Sequence, residues 1–296
     1  MSSILIKVTG FIGDTLFSTS VARQLKRDGF TGLIDYKIPV YQPYELLQLD
    51  NNINRVFLPN EDVDESIYDV VHTLPPCTQE DPPTIQYQKH CGIENLDPSF
   101  DVNVPVDSLE VVEDMMKPYR SSGRKIVAWQ ANWEEKSFGF TEEEYVRGED
   151  VPNFGYGGRR REIEYIVQKL SKVYNMIMVG FPPTVKQNDV GLLTTGIFTH
   201  TAAILKCCDY MVGGESGLIN LAAGVGTKTI ITGDYVHQLY GWNGVMRKLK
   251  EPKLGPEFYF GGDKHKSLNP YLRDEEVVKE IVKEFTSALK SYNNDK

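Results

Sequence analysis

Hydrophobic and polar residues follow two patterns along the first hundred positions of this chain. Short runs rich in β-branched and aromatic residues, bounded by Gly, Pro or polar residues, are typical of strands buried in a parallel sheet. They cover residues 4–10, 32–38, 55–59 and 68–74. Between the first two runs, Phe17, Val21 and Leu25 recur once per helical turn within residues 14–27. The pattern predicts strand, loop and helix at the start of a doubly wound α/β domain.

The pattern is interrupted between residues 95 and 125 and then resumes. A Pro-punctuated extended stretch leads into a helix with one apolar face, and the polar segment 120–125 has the composition of a hinge. Strand and helix patterns begin again at 125–132 and alternate to about residue 234, with Gly at the turns. We therefore predict an N-terminal Rossmann-like domain (1–120), a C-terminal Rossmann-like domain (121–275) and a final helix (276–296) that packs back toward the N-terminal domain.

Composition and charge narrow the class of protein. A chain of 296 residues is long enough for two domains with separate cores, and 41% hydrophobic with 25% charged residues is ordinary for a soluble globular protein. No apolar run approaches the length that crosses a bilayer, and the first ten residues lack the features of a signal peptide. The net charge of -9 disfavours attraction to nucleic acid or anionic lipid. We expect a cytoplasmic protein without a membrane span or a nucleic-acid partner.

The cysteine and histidine residues show no metal-binding pattern. Cys77, Cys91, Cys207 and Cys208 form no Cys-x-x-Cys pair, and the five histidines have no spacing that suits a shared metal ion. We therefore expect buried thiols and no metal site built from these residues.

The loop "VTGFIG" after the first apolar run allows two interpretations. A nicotinamide-dependent short-chain dehydrogenase or epimerase would combine it with Asp35, about twenty residues on, and with Tyr165 and Lys169. That chemistry uses three spaced glycines for the tight turn, the approach of the pyrophosphate and the helix packing. Because only Gly10 and Gly13 are present, the oxidoreductase is the weaker alternative.

In the other interpretation, Gly13 and Asp14 are the functional unit. Asp14 falls between the first predicted strand and helix, where open α/β sheets bind ligands, and Gly13 leaves room for a bulky substrate. A carboxylate there can act as a general base. Asp is also a preferred capping residue at helix starts. From the residues alone, a base and a helix cap are both open.

Residues 208–233 predict a second site. They form a strand pattern, a Gly-Gly turn, Glu215 and Ser216 at a helix start, a helix of small residues and another strand. Glu215 suits two ribose hydroxyls, and Gly213 and Gly214 allow a nucleotide and its phosphates to approach the helix amides closely. A capped, buried helix with an ordinary exposed Glu is the alternative.

A cluster of basic residues is a further candidate for anion binding. Arg159, Arg160 and Arg161 fall at the start of a predicted helix, where cations are unfavourable unless an anion joins them. Lys136, in the loop after the first strand of the second half, is a weaker candidate for the same role. A diphosphate site and a solvated charged face are both open.

Together, the two halves resemble glycosyltransferase family 9, the heptosyltransferase-like GT-B glycosyltransferases. Residues 4–26 are similar to that family's first strand and Gly-Asp loop, and residues 208–233 are similar to its nucleotide-sugar segment. Residues 87–105 resemble the stretch by which the family leaves its first domain. The likeness extends from the start of the chain to about residue 235.

The resemblance implies an α/β fold of the GT-B type, with two Rossmann-like domains whose parallel sheets face a central cleft. It implies an inverting, metal-independent transfer of a sugar from a nucleotide-sugar donor to an acceptor hydroxyl, with the nucleotide sugar as substrate and no resident cofactor. Asp14 would be the catalytic base, and Glu215, Ser216 and Gly217 would hold the donor. Glu215 stands where many members have Asp, and Asn220 where His is usual, so nucleotide and sugar are left open.

The remaining site residues and partners follow from this assignment. The acceptor-side loop would contain Gly13 and Thr15, and the donor site would also include Gly213, Gly214, Asn220, Arg159, Arg161 and Lys136. The expected partners are a nucleotide sugar and a carbohydrate or glycoconjugate acceptor, and peripheral contact with a lipid-linked acceptor is compatible with this assignment. A nucleotide-sugar-binding protein without catalysis is the second alternative, beside the oxidoreductase.

Overall fold

The computed structural model describes residues 2–75, 81–130, 171–179, 191–193, 197–213, 216–231 and 266–267. Within these ranges the chain forms two parallel β-sheets with helices packed around them. No helix of the described ranges has both the length and the apolar character needed to cross a membrane.

The first sheet has four parallel strands in the order β3-β2-β1-β4. These strands are β1 (Ser3–Val8), β2 (Leu33–Lys37), β3 (Arg55–Phe57) and β4 (Val70–Leu74). The four apolar runs are thereby confirmed as strands. Leu5 of β1 lies opposite Asp35 of β2 and Val71 of β4. Leu5 and Ile6 are both fully buried, so the central strand is covered on both faces, as its continuous apolar run indicates.

Helices connect and flank these strands. They are α1 (Ile12–Arg27), α2 (Tyr44–Gln48), α3 (Pro83–His90) and α4 (Val106–Arg120). The predicted helices at 14–27 and around Leu109–Tyr119 are confirmed as α1 and α4. The sequence pattern did not predict α2 and α3, because helices of 5 and 8 residues carry too few turns to display a helical repeat.

The second sheet has six strands in the order β10-β9-β8-β5-β6-β7, and all its pairings are parallel. The helices α5 (Phe198–Lys206) and α6 (Gly217–Gly224) flank β8 in the chain. The strands are β5 (Ile126–Gln130), β6 (Asn175–Val179), β7 (Gly191–Leu193), β8 (Tyr210–Gly213), β9 (Lys228–Ile231) and β10 (Lys266–Ser267). Counted from its own first strand, this order is 3-2-1-4-5-6, the doubly wound order of dinucleotide-binding folds.

Each sheet reverses its strand order at one point. In the first sheet the reversal lies between β1 and β4, and in the second between β5 and β8. Open α/β sheets bind ligands in the crevice at the carboxyl ends of the strands at such a reversal. The residues after β1 and after β8, where the sequence placed Asp14 and Ser216, therefore occupy the two favoured ligand positions of the fold.

The two halves share a continuous apolar core and pack through α1 and α6. The segment between α3 and α4 lies between them: the Phe100 ring packs edge-on against Phe17 of α1 at 5.0 Å. The Val102 N–H donates to the Gly224 carbonyl at 2.8 Å. A Cβ on Gly224 would lie 2.6 Å from Val102 Cγ2, so a glycine at the end of α6 lets this segment approach.

The helix α4 packs against α5 of the second half, with Val112 and Met116 fully buried. The predicted domain limit after residue 120 stays a prediction. The predicted final helix, 276–296, lies outside the described residues.

Candidate active site

Asp14 is the third residue of α1, and both oxygens of its carboxylate are held. Its Oδ2 accepts the Phe11 N–H at 2.9 Å, and its Oδ1 accepts the hydroxyl of Tyr87 at 2.6 Å. The first bond satisfies one of the N–H groups that a helix start leaves free, and a negative charge there interacts favourably with the helix dipole. Because an ionised carboxylate has about four acceptor positions, Asp14 can serve this end of α1 and still accept a further proton donor.

The loop between β1 and α1 is shaped around this carboxylate. A Cβ on Gly10 would lie 2.2 Å from Asp14 Cγ, closer than any real contact. Gly10 is therefore required for the carboxylate to lie against the backbone. The Thr9 hydroxyl donates to the Leu74 carbonyl at 2.7 Å, which joins the loop to the end of β4. These contacts place Asp14 at the strand reversal of the first sheet.

Tyr87 is a site residue that the sequence analysis missed. It lies on α3, 73 positions after Asp14, and only 1% of it is exposed. Its helix packs against α1. The sequence carries no local signal for this pairing, because a short helix without visible periodicity supplies one partner and the first turn of the distant helix α1 supplies the other.

The start of α6 forms the facing side of the site. Ser216 is the N-cap of α6 and is buried, and its hydroxyl accepts the Ile219 N–H at 3.4 Å. Gly217 lies against the first residue of α1, since a Cβ there would come within 2.9 Å of Ile12 Cβ. The first turns of α1 and α6, predicted as the acceptor and donor sides, are therefore in direct contact.

Asn220 reaches from α6 to α1. A Cβ on Gly13 would lie 2.5 Å from Asn220 Nδ2, so Gly13 makes room for a side chain of the other half. That Gly13 also leaves room for a bulky substrate stays a prediction. Asn220 is 5% exposed, and its Oδ1 is buried without a hydrogen-bond partner among the described residues. An unsatisfied buried acceptor costs about 1–3 kcal/mol. The amide nitrogen of Asn220 thus faces Gly13, whereas the acceptor left unpaired within the described part of the chain is Oδ1.

The structure corrects the predicted location of two residues. Gly13 and Thr15 were placed on an acceptor-side loop, but both lie in α1, because the helix begins at Ile12. Thr15 is fully buried, and its hydroxyl donates to the Phe11 carbonyl at 2.9 Å. Its hydroxyl therefore serves the first turn of the helix, and its side chain has no exposed surface for an acceptor.

Of the remaining predicted donor residues, one lies among the described residues and five lie outside them. Gly213 ends β8, directly before this site. The others lie outside the described residues, and their roles stay predictions: Gly214, Glu215, Lys136, Arg159 and Arg161.

The oxidoreductase alternative loses one of its elements. It needs Asp35 at the carboxyl end of a strand, but Asp35 lies in the middle of β2 and is 8% exposed. Its Oδ1 accepts the Asn54 amide at 2.8 Å and its Oδ2 the Tyr68 hydroxyl at 2.7 Å. These contacts make Asp35 a buried structural carboxylate. Tyr165 and Lys169 lie outside the described residues.

The possible metal ligands of the described ranges lie apart from one another. These ranges contain no group of three or more His, Cys, Asp or Glu residues that could hold an ion. One Asp-x-Asp triplet occurs, at residues 62–64, and the Asp64 Oδ1 accepts the N–H and hydroxyl of Ser66 at 3.0 and 2.6 Å. Asp64 thus caps the 3₁₀ turn Glu65–Ile67.

Two doubly wound parallel sheets, with the ligand positions of both at one junction, define an α/β protein of the GT-B fold. Similar solved structures bear this out. A glycosyl transferase family 9 protein from Veillonella parvula has a TM-score of 0.62, with 11% identity over 98% of this chain and 97% of that one. The ADP-heptose LPS heptosyltransferase II of E. coli has a TM-score of 0.57, with 13% identity over 99% of this chain and all of that one.

A third similar structure is the iron-containing dodecameric glycosyltransferase TibC of enterotoxigenic E. coli. Its TM-score is 0.55, with 11% identity over 99% of this chain and 76% of that one. At these identities the likeness is one of fold. The resemblance to family 9 is confirmed at that level. No protein-family model and no curated protein matches the sequence.

Proposed function

We propose that the protein is an inverting glycosyltransferase that moves a sugar from a nucleotide sugar to an acceptor hydroxyl. One observation carries the proposal. The Asp14 carboxylate is held at the ligand position of the first sheet, and the helix turn that contains it contacts the start of α6, the ligand position of the second sheet. Asp14 and Ser216 lie at the starts of helices that follow strands of different sheets. The two helix starts meet where Gly217 packs against Ile12. An acceptor and a donor bound at these positions would meet at the junction.

On the donor side, the proposal relies on the first turn of α6. Ser216 and Gly217 present backbone amides at the positive end of this helix, which favours a diphosphate. Asn220 belongs to the donor side of the proposal on the sequence resemblance, since its Oδ1 is buried and closed to a donor hydroxyl in this structure. Ribose contacts by Glu215 and diphosphate contacts by Lys136, Arg159 and Arg161 belong to the proposal on the sequence alone.

In the proposed step, Asp14 accepts the proton of the acceptor hydroxyl while that oxygen bonds to the anomeric carbon. The bond from this carbon to the diphosphate oxygen breaks, and the diphosphate leaves with the electron pair. Attack from the face opposite the leaving group inverts the anomeric configuration. The amides of α6 stabilise the charge on the diphosphate, as preorganised donors do in an oxyanion hole. No metal is part of this step.

The choice of donor can be tested first by binding. The similar E. coli heptosyltransferase is named for ADP-heptose, so ADP and ADP-sugars lead a thermal-shift panel that includes GDP, UDP, dTDP and NAD(P). A ligand at a hundred times its dissociation constant adds about 2.7 kcal/mol of stability. Stabilisation by NAD(P) alone would support the oxidoreductase alternative and refute the proposal.

Catalysis is tested with Asp14→Asn, which keeps the size and polarity of the side chain and removes the base. Donor hydrolysis, in which water replaces the acceptor, provides a readout before the acceptor is known. We expect nucleoside diphosphate release to fall by about 10²–10⁴-fold, while donor affinity is retained. Asp107→Asn is the matched control, since Asp107 lies in the first turn of α4 and its Oδ1 accepts the Ser108 N–H.

Two further measurements address the stereochemistry and the metal. The anomeric configuration of the product, read by NMR, must be opposite to that of the donor. Turnover after treatment with EDTA must equal turnover before it. If the wild-type protein binds the donor but shows no turnover, the enzyme proposal is refuted and a nucleotide-sugar-binding protein without catalysis is supported.

A further inference from the structure

We propose that Tyr87 is a positioning residue for Asp14, and that it fixes the carboxylate in the orientation in which it accepts the proton of the acceptor. This inference rests on the proposed glycosyltransferase function. Asp14 touches the reacting hydroxyl in that proposal, whereas Tyr87 acts through Asp14.

The first step of the argument is the contact itself. The Tyr87 hydroxyl donates to Asp14 Oδ1 at 2.6 Å, and the Phe11 N–H donates to Asp14 Oδ2 at 2.9 Å. The two donors come from different elements, α3 and the loop before α1. Two hydrogen bonds from fixed directions, one to each oxygen, determine the plane of the carboxylate. A single hydrogen bond to one oxygen would leave the carboxylate free to rotate.

The second step is the rigidity of the donor. Tyr87 is 1% exposed, and α3 packs against α1. A buried tyrosine has two side-chain torsions, both restricted by close packing. Its hydroxyl is therefore a fixed point from which the position of Asp14 is set. Gly10 supports the carboxylate from the backbone side, since a Cβ at Gly10 would come within 2.2 Å of Asp14 Oδ2.

The third step concerns the reaction. A hydrogen bond from a hydroxyl to a carboxylate is charge-assisted and stronger than one between neutral groups, so it holds the carboxylate oxygen firmly. Correct placement of a reacting group contributes strongly to catalysis, and a small displacement is costly. Loss of the Tyr87 hydroxyl should therefore slow the chemical step without weakening the donor contacts on α6.

The experiment compares Tyr87→Phe with Tyr36→Phe. Tyr36 is fully buried in the same half, and its hydroxyl donates to the Ser18 carbonyl of α1 at 2.7 Å, so it is a matched buried hydrogen bond away from Asp14. We expect Tyr87→Phe to lower kcat by at least ~10-fold, the scale of a hydrogen bond to a charged group, with donor KM unchanged. Tyr36→Phe should lower the Tm and leave kcat unchanged.

A double-mutant cycle separates positioning from a general structural effect. In the Asp14→Asn background, Tyr87→Phe should cause no further loss of kcat, because the base that it positions is gone. An equal loss of kcat in both backgrounds would overturn the inference, and so would wild-type kcat in Tyr87→Phe.

The failure of the inference and that of the proposed function are distinguishable. If Asp14→Asn abolishes turnover while Tyr87→Phe retains it, the role of Tyr87 is refuted and the proposed function stands. If Asp14→Asn retains turnover, Asp14 is not the base and the role of Tyr87 is refuted with it, while the measured sugar transfer leaves the glycosyltransferase function in place. A wild-type protein that binds the donor without turnover refutes the proposed function.

Discussion

Gly13→Ala tests the junction between the two halves directly. A methyl group on Gly13 would lie 2.5 Å from Asn220 Nδ2, where real Cβ contacts are never shorter than 3.0 Å. Asn220 is 5% exposed and belongs to α6, so it has little room to withdraw. We expect either the Asn220 side chain to be displaced or the first turns of α1 and α6 to separate by several tenths of an ångström.

The size of the effect follows from two opposing contributions. An additional methyl group in a packed interface costs about 1–3 kcal/mol. Replacing a helical glycine by alanine recovers up to about 0.5–1 kcal/mol. The free energy of unfolding should therefore fall by about 1–2 kcal/mol, which in a chain of this size lowers the Tm by a few degrees.

Thermal unfolding followed by circular dichroism measures the stability, and nucleoside diphosphate release measures the activity. Since a displacement of about 1 Å can slow a reaction by about 10²-fold, turnover should fall more steeply than stability. The double variant Gly13→Ala with Asn220→Ala creates space for the methyl group and should recover Tm relative to Gly13→Ala alone. A Gly13→Ala protein with wild-type Tm and turnover would refute the close approach of α1 and α6. If Asn220→Ala does not recover the lost stability, a clash between the added methyl group and Asn220 is not what destabilises Gly13→Ala.

Two further predictions concern titrating groups. Burial raises the pKa of the Cys91 thiol to about 12 and raises that of Cys208 still more. A thiol reagent at pH 8 should therefore label the half-buried Cys91 slowly and the buried Cys208 only after denaturation, as peptide mapping by mass spectrometry can determine. Rapid labelling of native Cys208 would contradict its burial. Burial, and secondarily the charge of His90, lower the pKa of His72 below its ordinary value of 6.5. The unfolded chain therefore binds a proton more readily at position 72, and stability should decline as pH falls below about 6.5. His72→Gln should make this decline shallower in denaturant titrations between pH 7 and pH 5, and an unchanged slope would argue against a lowered pKa of the half-buried His72.

Sequence reasoning located the two principal segments of the site but described their local structure imperfectly. Asp14 could be found because a β-rich run ends shortly before it, and Ser216 because a strand, a Gly-Gly turn and a helix of small residues surround it. The sequence could not distinguish between two roles of Asp14, a helix cap and a general base. In the structure Asp14 is the third residue of α1, and its Oδ2 caps the helix by accepting the Phe11 N–H. The other acceptor positions of the carboxylate stay compatible with the role of a base.

Thr15 and Tyr87 show why the rest was not predictable. Thr15 was assigned to an acceptor-side loop because the predicted helix began only one residue before it, whereas the observed helix starts at Ile12 and buries the Thr15 side chain. Helix ends are the part of a pattern that sequence defines least well. Tyr87 lies on a helix of 8 residues whose sequence has no visible periodicity, and its partner is 73 positions away.

By itself, the sequence determined the class of fold and the order of most strands and helices. Apolar runs with a strand pattern and apolar residues at helical spacing are local consequences of burying one face of an element, and they can be read along the chain. The sites after β1 and β8 follow from the same rule, since ligand positions lie at the carboxyl ends of parallel strands.

Only the tertiary structure decided which side chains meet. The contact of Gly13 with Asn220, that of Ile12 with Gly217, and the hydrogen bond from Tyr87 to Asp14 join residues far apart in the chain. Such contacts depend on how helices from two sheets pack against each other, and close packing fixes that arrangement to fractions of an ångström. No local pattern carries this information, because each residue at the junction satisfies its own helix equally well with or without its distant partner.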